Sequence, residues 1–230
     1  MKFGGLQKLT LLDYPDKVAA TVFTVGCNFR CPFCHNFSLV CGHGVEKQQF
    51  EEEEILQFLK KRSNLLEGVC VTGGEPLIQP EIESFLRKIR DMGYEIKLDT
   101  NGAYPEKLRF LIEQGLVDYV AMDVKNSKKL YAQTVGCKVD LAAIERSVEL
   151  LKSGVVNYEF RTTVTATFHT DDSIRETAQW LVGAKRWYLQ QFVDSGDLID
   201  ATVTGVDEAT LRKYCDLARQ FVSNTQVRGI

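Results

Sequence analysis

The sequence predicts an α/β fold built around a mainly parallel β-sheet. Short apolar runs alternate with amphipathic stretches along the chain, in about six pairs. Neither a low-complexity linker nor an internal repeat interrupts the 230 residues, which are enough to bury one large core. Strands that alternate with helices indicate βα units and a parallel sheet. Periodicity alone leaves two architectures open, a doubly wound open sheet and an incomplete β/α barrel.

The predicted strands are short runs rich in apolar and β-branched residues. In chain order they cover residues 19–25, 68–72, 95–99, 119–124, 158–165 and 187–192. The first reads AATVFTV, a continuous apolar run that is typical of a buried strand in a parallel sheet. The fourth reads as a buried strand that ends in two charges, Asp123 and Lys125. The third, the fifth and the sixth place charged or polar residues between apolar ones.

Amphipathic stretches between these strands predict the helices. They cover residues 51–62, 80–92, 105–114, 141–152 and 173–182, and a last helix at 208–223 follows the final strand. The first begins with the acidic run 51–54, where the helix dipole stabilises carboxylates, and Phe50 before it can pack on the first turns. We expect a single domain over residues 1–230, with its core at about 17–195 and a C-terminal helix at about 207–224.

Composition and charge argue against several classes of function. A hydrophobic share of 44%, a charged share of 26% and a net charge of -3 give no reason to expect nucleic acid or a membrane as partner. Residues 1–12 lack the apolar core of a signal peptide, and no apolar run reaches membrane-spanning length. The seven cysteines, three of them bunched, favour a reducing compartment with a metal or redox site. A cytoplasmic location is therefore expected.

Polar residues follow the ends of the predicted strands, where parallel α/β folds place their active sites. In chain order they are Cys27, Gly73-Gly74-Glu75-Pro76, Asp99-Thr100-Asn101-Gly102, Asp123, Lys125 and, within the fifth strand, Arg161. Their convergence on one rim predicts a site there more strongly than any single motif does.

The most informative motif places Cys27, Cys31 and Cys34 at a C-x3-C-x2-C spacing. Three thiolates are one fewer than the four that normally close an iron–sulfur cubane. One iron of such a cluster would lack a protein ligand and could bind a small molecule. The pattern therefore predicts an iron–sulfur cluster with an open coordination site.

Two other metal sites stay open for these cysteines. Zinc could take a fourth ligand from His35, His43 or Cys41, although zinc sites usually have a second, separated pair of ligands. A fully ligated electron-transfer cluster could use Cys41, although both common ferredoxin spacings differ from this one.

The cysteine motif, with Phe33 in its aromatic position, resembles the C-x3-C-x-aromatic-C hallmark of the radical S-adenosylmethionine (SAM) superfamily. The resemblance implies an incomplete (β/α)6 barrel and a 4Fe-4S cluster bound by Cys27, Cys31 and Cys34. SAM would chelate the fourth iron through its amino and carboxylate groups and be cleaved to a 5′-deoxyadenosyl radical. Phe33 and His35 would then lie among the cofactor-binding residues.

Other motifs resemble SAM-binding elements of this superfamily. Gly73-Gly74-Glu75-Pro76, by itself a tight turn, resembles the motif that binds the methionine amino group, with glycine allowing close approach and Glu75 accepting from the ammonium. Asp99, Thr100 and Asp123 resemble residues that form a monovalent cation site beside the SAM carboxylate in glycyl-radical-enzyme activases. Lys125 would lie near SAM, and Arg161 would contact it. On their own, Asp123 could cap a helix and Arg161 could face solvent.

Residues 3–36, above all Leu11-Leu12-Asp13-Tyr14-Pro15-Asp16-Lys17, resemble the anaerobic ribonucleoside-triphosphate reductase activating proteins. The resemblance implies hydrogen abstraction from one backbone glycine of a large glycyl radical enzyme, with a flavodoxin or ferredoxin as electron donor. Pyruvate formate-lyase activating enzymes are similar in reaction, but they often have a histidine where this chain has Phe192-Val193-Asp194. The alternatives are an activase of another glycyl radical enzyme, a radical SAM enzyme acting on a small molecule and a non-catalytic iron–sulfur or zinc module.

The remaining cysteines and histidines lack ligand spacing. We expect Cys70, Cys137 and Cys215 to pack as small apolar side chains. His43 is interpreted as a loop residue, and His169 as a turn residue before a helix.

Overall fold

The computed structural model describes residues 1–41 and 49–230. Two units can be distinguished, and each is assembled from several stretches of sequence. The first comprises Met1–Asn28, Ser38–Thr100 and Tyr104–Ala121, and the second comprises Phe29–Phe37, Asn101–Ala103 and Met122–Ile230. The extent of a single domain over residues 1–230 stays a prediction.

Strands and helices alternate through most of the chain. The strands are β1 (Lys2–Thr10), β2 (Ala19–Thr24), β3 (Phe50–Glu51), β4 (Gly68–Gly73), β5 (Glu95–Thr100), β6 (Tyr119–Asp123), β7 (Asn157–Val164), β8 (Trp187–Gln191) and β9 (Thr225–Arg228). The helices are α1 (Phe37–Cys41), α2 (Glu52–Arg62), α3 (Ile82–Asp91), α4 (Pro105–Glu113), α5 (Tyr131–Thr134), α6 (Leu141–Lys152), α7 (Asp171–Trp180) and α8 (Glu208–Arg219), and a 3-10 turn covers Pro76–Ile78.

The first unit contains a sheet with the strand order β3-β1-β2-β4-β5. β1 runs antiparallel to β2 and β3, whereas β2, β4 and β5 are parallel. The register pairs Ala19 with Gly68 and Gly68 with Glu95, so the parallel strands begin at one level and their carboxyl ends lie side by side. Every residue of β2 except Phe23 is buried, as expected of a parallel strand with both faces covered.

The second unit contains the parallel strands β7, β8 and β9. Their register aligns Phe160 with Trp187 and Trp187 with Thr225. The buried indole of Trp187 donates from Nε1 to Thr162 Oγ1 at 3.0 Å, which satisfies the one polar atom of the ring. The α7 helix begins after Thr170, whose hydroxyl accepts from the Ser173 N–H at 3.2 Å.

The predicted α/β fold with a mostly parallel sheet is confirmed. Each of the six predicted strands is present with ends within one residue of the expected positions. The first helix begins one residue late because Glu51 precedes it as the N-cap, and its N–H donates to Glu54 Oε2 at 2.8 Å. The last helix ends four residues early, before the chain enters β9.

Several elements were not predicted, namely β1, β3, β9, α1 and α5. β1 reads KFGGLQKLT, which has two glycines and little apolar alternation, and it is defined by pairing with β2. In the part of the chain that is described, no helix combines the length and the apolar character needed to cross a bilayer.

Candidate active site

The Gly73-Gly74 turn packs backbone against backbone on the end of β2. The Gly74 N–H donates to Thr24 O at 2.9 Å, and the Glu75 N–H donates to Gly26 O at 2.8 Å. A Cβ on Gly74 would lie 1.8 Å from Gly26 O, so this position requires glycine. The sequence interpretation explained the glycines by the approach of SAM, but their close contact is with the protein segment that leads into Cys27.

Glu75 is a buried carboxylate at this turn. Its side chain is 1% exposed, and Oε1 accepts from the Leu77 N–H at 3.0 Å and from Thr100 Oγ1 at 2.8 Å. The structure therefore brings together Glu75 and Thr100, two residues that the sequence motifs placed at the end of neighbouring strands.

Asp99 has a cationic partner that the sequence interpretation missed. The Lys97 side chain is 2% exposed, and its ammonium group forms an ion pair with Asp99 Oδ1, while Thr72 Oγ1 donates to Oδ2 at 3.2 Å. The two residues are two apart in β5 and therefore share a face of the sheet, which was the available signal. Lys97 thus balances the charge of Asp99 within the protein. The monovalent cation expected at Asp99, Thr100 and Asp123 stays a prediction.

The cysteine loop of the second unit forms a tight turn. The Cys34 N–H donates to Cys31 O at 2.9 Å, with Cys31 buried and Cys34 half-buried. Between them, the ring of Phe33 is buried against Phe168 at 5.8 Å between centroids. Burial raises the pKa of the Cys34 thiol, while the positive charge of Lys125 acts in the opposite direction. A bound iron ion would stabilise the thiolate form of the side chain.

Two further segments hold this loop from the second unit. The Arg30 N–H donates to Val135 O at 2.9 Å, and a Cβ on Gly136 would lie 2.2 Å from Arg30 O. Ser195 Oγ donates to the carbonyl of His35 at 3.1 Å, while the side chain of His35 is exposed. Neither segment carries a motif that the sequence could have revealed.

Asp123, Lys125 and Arg161 form a charged triad at the end of β6. Asp123 Oδ1 accepts from Arg161 Nε at 2.9 Å, and Oδ2 accepts from Lys125 Nζ at 2.9 Å. Burial alone would raise the pKa of Asp123, but the two cations hold it well below its usual range. Burial alone would lower the pKa of Lys125, but the charges of Asp123 and Cys31 raise it. The triad carries two positive charges to one negative.

Buried side chains fix the backbone around this triad. Thr162 Oγ1 donates to Val124 O at 2.6 Å. The Lys125 N–H donates to Tyr131 Oη at 3.4 Å, and Lys125 O lies 3.0 Å from Nε2 of His169. His169, expected to be a turn residue, does follow a turn. The residue is only 3% exposed, however, and its ring contacts the backbone carbonyl of Lys125.

The three cysteines are reduced thiols that suit an iron–sulfur cluster by their chemistry. Cys27 belongs to the first unit, and Cys31 and Cys34 belong to the second. Within residues 1–41 and 49–230, no three His, Cys, Asp or Glu side chains are gathered into a ready-made metal site. The three-cysteine site therefore stays a prediction. His43 and the side chain of Cys41, the alternative fourth ligands, lie outside what the structure describes.

Residues 21–181 match the family model of the radical SAM superfamily. The chain belongs to this superfamily. A protein of Methanocaldococcus jannaschii, provisionally named a glycyl-radical enzyme activating enzyme, is 31% identical over 236 residues, covering 98% of this chain and 95% of that one. Membership of the superfamily implies a 4Fe-4S cluster and SAM as cofactors.

Solved structures show the same fold at lower identity. A domain of a pyruvate-formate lyase-activating enzyme from Bacteroides vulgatus has a TM-score of 0.58 at 18% identity, covering 70% of this chain and 99% of that domain. Streptococcus suis SuiB bound to SAM has a TM-score of 0.69 at 14% identity, covering 90% of this chain and 49% of that one. The resemblance drawn from the cysteine motif is confirmed by the match of residues 21–181 to the family model.

Proposed function

We propose that this protein is a radical SAM activase that abstracts a hydrogen atom from one backbone glycine of a glycyl radical enzyme. The observation that carries the proposal is the alignment with the Methanocaldococcus jannaschii protein, which spans nearly the full length of both chains. Many reactions share the radical SAM core, so a match along the whole chain supports a specific reaction better than a match to the core alone.

The residues of this chain suit the two cofactors. Cys27, Cys31 and Cys34 would hold the 4Fe-4S cluster as thiolates. When bound together and reduced, the cluster and SAM supply a 5′-deoxyadenosyl radical that removes hydrogen from carbon. The protein's own contribution is to bind and orient both groups and to exclude water from them.

Two groups of residues match the charges of the methionine part of SAM. Glu75 is a buried carboxylate that can accept from an ammonium group. Lys125 and Arg161 have side chains only 15% and 14% exposed, and with Asp123 they carry a net positive charge that favours a carboxylate. Burial strengthens both attractions because the local dielectric is low.

The partner is proposed to be an anaerobic ribonucleoside-triphosphate reductase. The resemblance of residues 11–17 to the activating proteins of these reductases supports it, as does Phe192-Val193-Asp194 where formate-lyase activases often have a histidine. A flavodoxin or ferredoxin would deliver the electron. Glycine suits the reaction because its Cα carries no side chain and its radical is delocalised over the flanking amides.

The test is an electron paramagnetic resonance measurement on the partner. The cluster is reconstituted anaerobically, and the protein is incubated with SAM and dithionite together with a reductase or with pyruvate formate-lyase. We expect the doublet of a glycyl radical on the reductase only, and no doublet with Cys34→Ala. A doublet on the lyase alone would change the partner. Production of 5′-deoxyadenosine without a radical on either enzyme would refute the activase proposal.

A further inference from the structure

The orientation of Lys125 depends on contacts made by its backbone. Lys125 lies two residues beyond the end of β6, outside any helix or strand, so no ladder of backbone hydrogen bonds holds it. Buried backbone groups in such a segment need side-chain partners. Its N–H donates to Tyr131 Oη at 3.4 Å, a long hydrogen bond, whereas its carbonyl lies 3.0 Å from Nε2 of His169.

The protonation of His169 follows from its neighbours. The backbone N–H of Thr165 lies 3.1 Å from Nδ1, and a backbone N–H can only donate, so Nδ1 carries no proton. The proton of the neutral ring is therefore on Nε2, which donates to the carbonyl of Lys125. The imidazole thus links the turn after β7 to the backbone of Lys125 in the segment after β6.

The position of His169 is itself well fixed. The hydroxyl of Tyr214, from α8, donates to the carbonyl of His169 at 3.2 Å. The α7 helix starts directly after Thr170, the next residue. The backbone of His169 is thus held from α8 and by the start of α7, while Nε2 of its ring lies 3.0 Å from the carbonyl of Lys125.

We propose that His169 is a positioning residue that holds the Lys125 backbone so that its ammonium group stays paired with Asp123, where it would favour the SAM carboxylate. This role rests on the proposed function, because it assumes that the triad faces SAM. Without the hydrogen bond from Nε2, the carbonyl of Lys125 loses its side-chain donor, and Lys125 can adopt orientations that leave the triad. We expect SAM to bind roughly tenfold more weakly, as the loss of one buried hydrogen bond implies.

Two substitutions separate this role from simple packing. His169→Gln can place an amide N–H where Nε2 lies and so can still donate to Lys125 O. His169→Asn can place an amide oxygen where Nδ1 lies and so can still accept from Thr165, but it is too short to reach Lys125. We expect His169→Asn to weaken SAM binding about tenfold and His169→Gln to bind within about twofold of wild type.

The measurement is equilibrium dialysis of labelled SAM against the reconstituted, unreduced protein, with the melting temperature recorded for each variant. Equal affinities of the two variants would overturn the role of His169, as would an affinity loss that follows the melting temperature. In a Lys125→Met background, His169→Asn should have no further effect on affinity, and an undiminished effect there would also overturn it. Failure of wild type to bind SAM would instead overturn the proposed function, and with it this role.

A measurement on the wild-type chain covers the case in which a variant does not fold. Nitrogen-15 NMR of labelled histidine should show His169 as the neutral ring with its proton on Nε2. A proton on Nδ1, or a charged ring at pH 7, would contradict the hydrogen bond on which the role depends.

Discussion

The buried ring of His169 should make the folded chain lose stability as the pH falls from 6.5 towards 4. Burial lowers the pKa of His169 from 6.5 to about 4, so the unfolded chain takes up the proton first. The stabilising contribution of the neutral ring is present above pH 6.5 and is lost as the pH falls through the two pKa values. At about 1.4 kcal/mol per pH unit the full loss is about 3 kcal/mol, of which about 2 kcal/mol falls between pH 7 and pH 5.

Urea titrations followed by tryptophan fluorescence measure this effect, under anaerobic conditions and between pH 7 and pH 5. His169→Gln is the control, because Gln does not titrate while the carboxylates of both proteins do. We expect the free energy of unfolding of wild type to fall by about 2 kcal/mol more than that of the variant. Parallel pH profiles for the two proteins would refute the assignment of a buried, neutral His169.

Two further predictions concern contacts within each unit. Gly74→Ala should cost about 3 kcal/mol or more, because its Cβ would lie 1.8 Å from Gly26 O, whereas Gly93→Ala has open space and should cost about 1 kcal/mol for its positive φ alone. Equal falls in melting temperature would contradict this reasoning. Arg228→Met should cost about 2 kcal/mol, because Glu159 is buried and accepts from Arg228 at 2.7 and 2.9 Å, while the Arg228 side chain is itself one third exposed. Adding Glu159→Gln should recover part of the loss in urea titrations, and strictly additive losses would argue against the pair.

Elements defined by their own sequence could be predicted, and elements defined by pairing could not. β2 and β4 are apolar along their length, so their burial could be read directly. β1 contains two glycines and is a strand because β2 and β3 pair with it. The four-residue β9 is likewise held by its pairing with β8.

The residues of the candidate site also fall into two groups, those that the local sequence predicts and those that depend on contacts elsewhere in the fold. The triad of Asp123, Lys125 and Arg161 was predictable because each residue lies in or just after a strand of a parallel sheet. The contact of His169 with Lys125 joins residues distant in sequence, which no local pattern reports. The pairing of Lys97 with Asp99 had a local signal, because the two residues are two apart in β5 and share a face of the sheet.

The most direct test of the account is Mössbauer spectroscopy of the protein reconstituted with iron-57, recorded with and without SAM. We predict a 4Fe-4S cluster in which one iron of four changes its isomer shift when SAM is added, because ligation by Cys27, Cys31 and Cys34 alone would leave that iron open. A spectrum that SAM does not change, or a chain that takes up zinc in place of the cluster, would contradict the account.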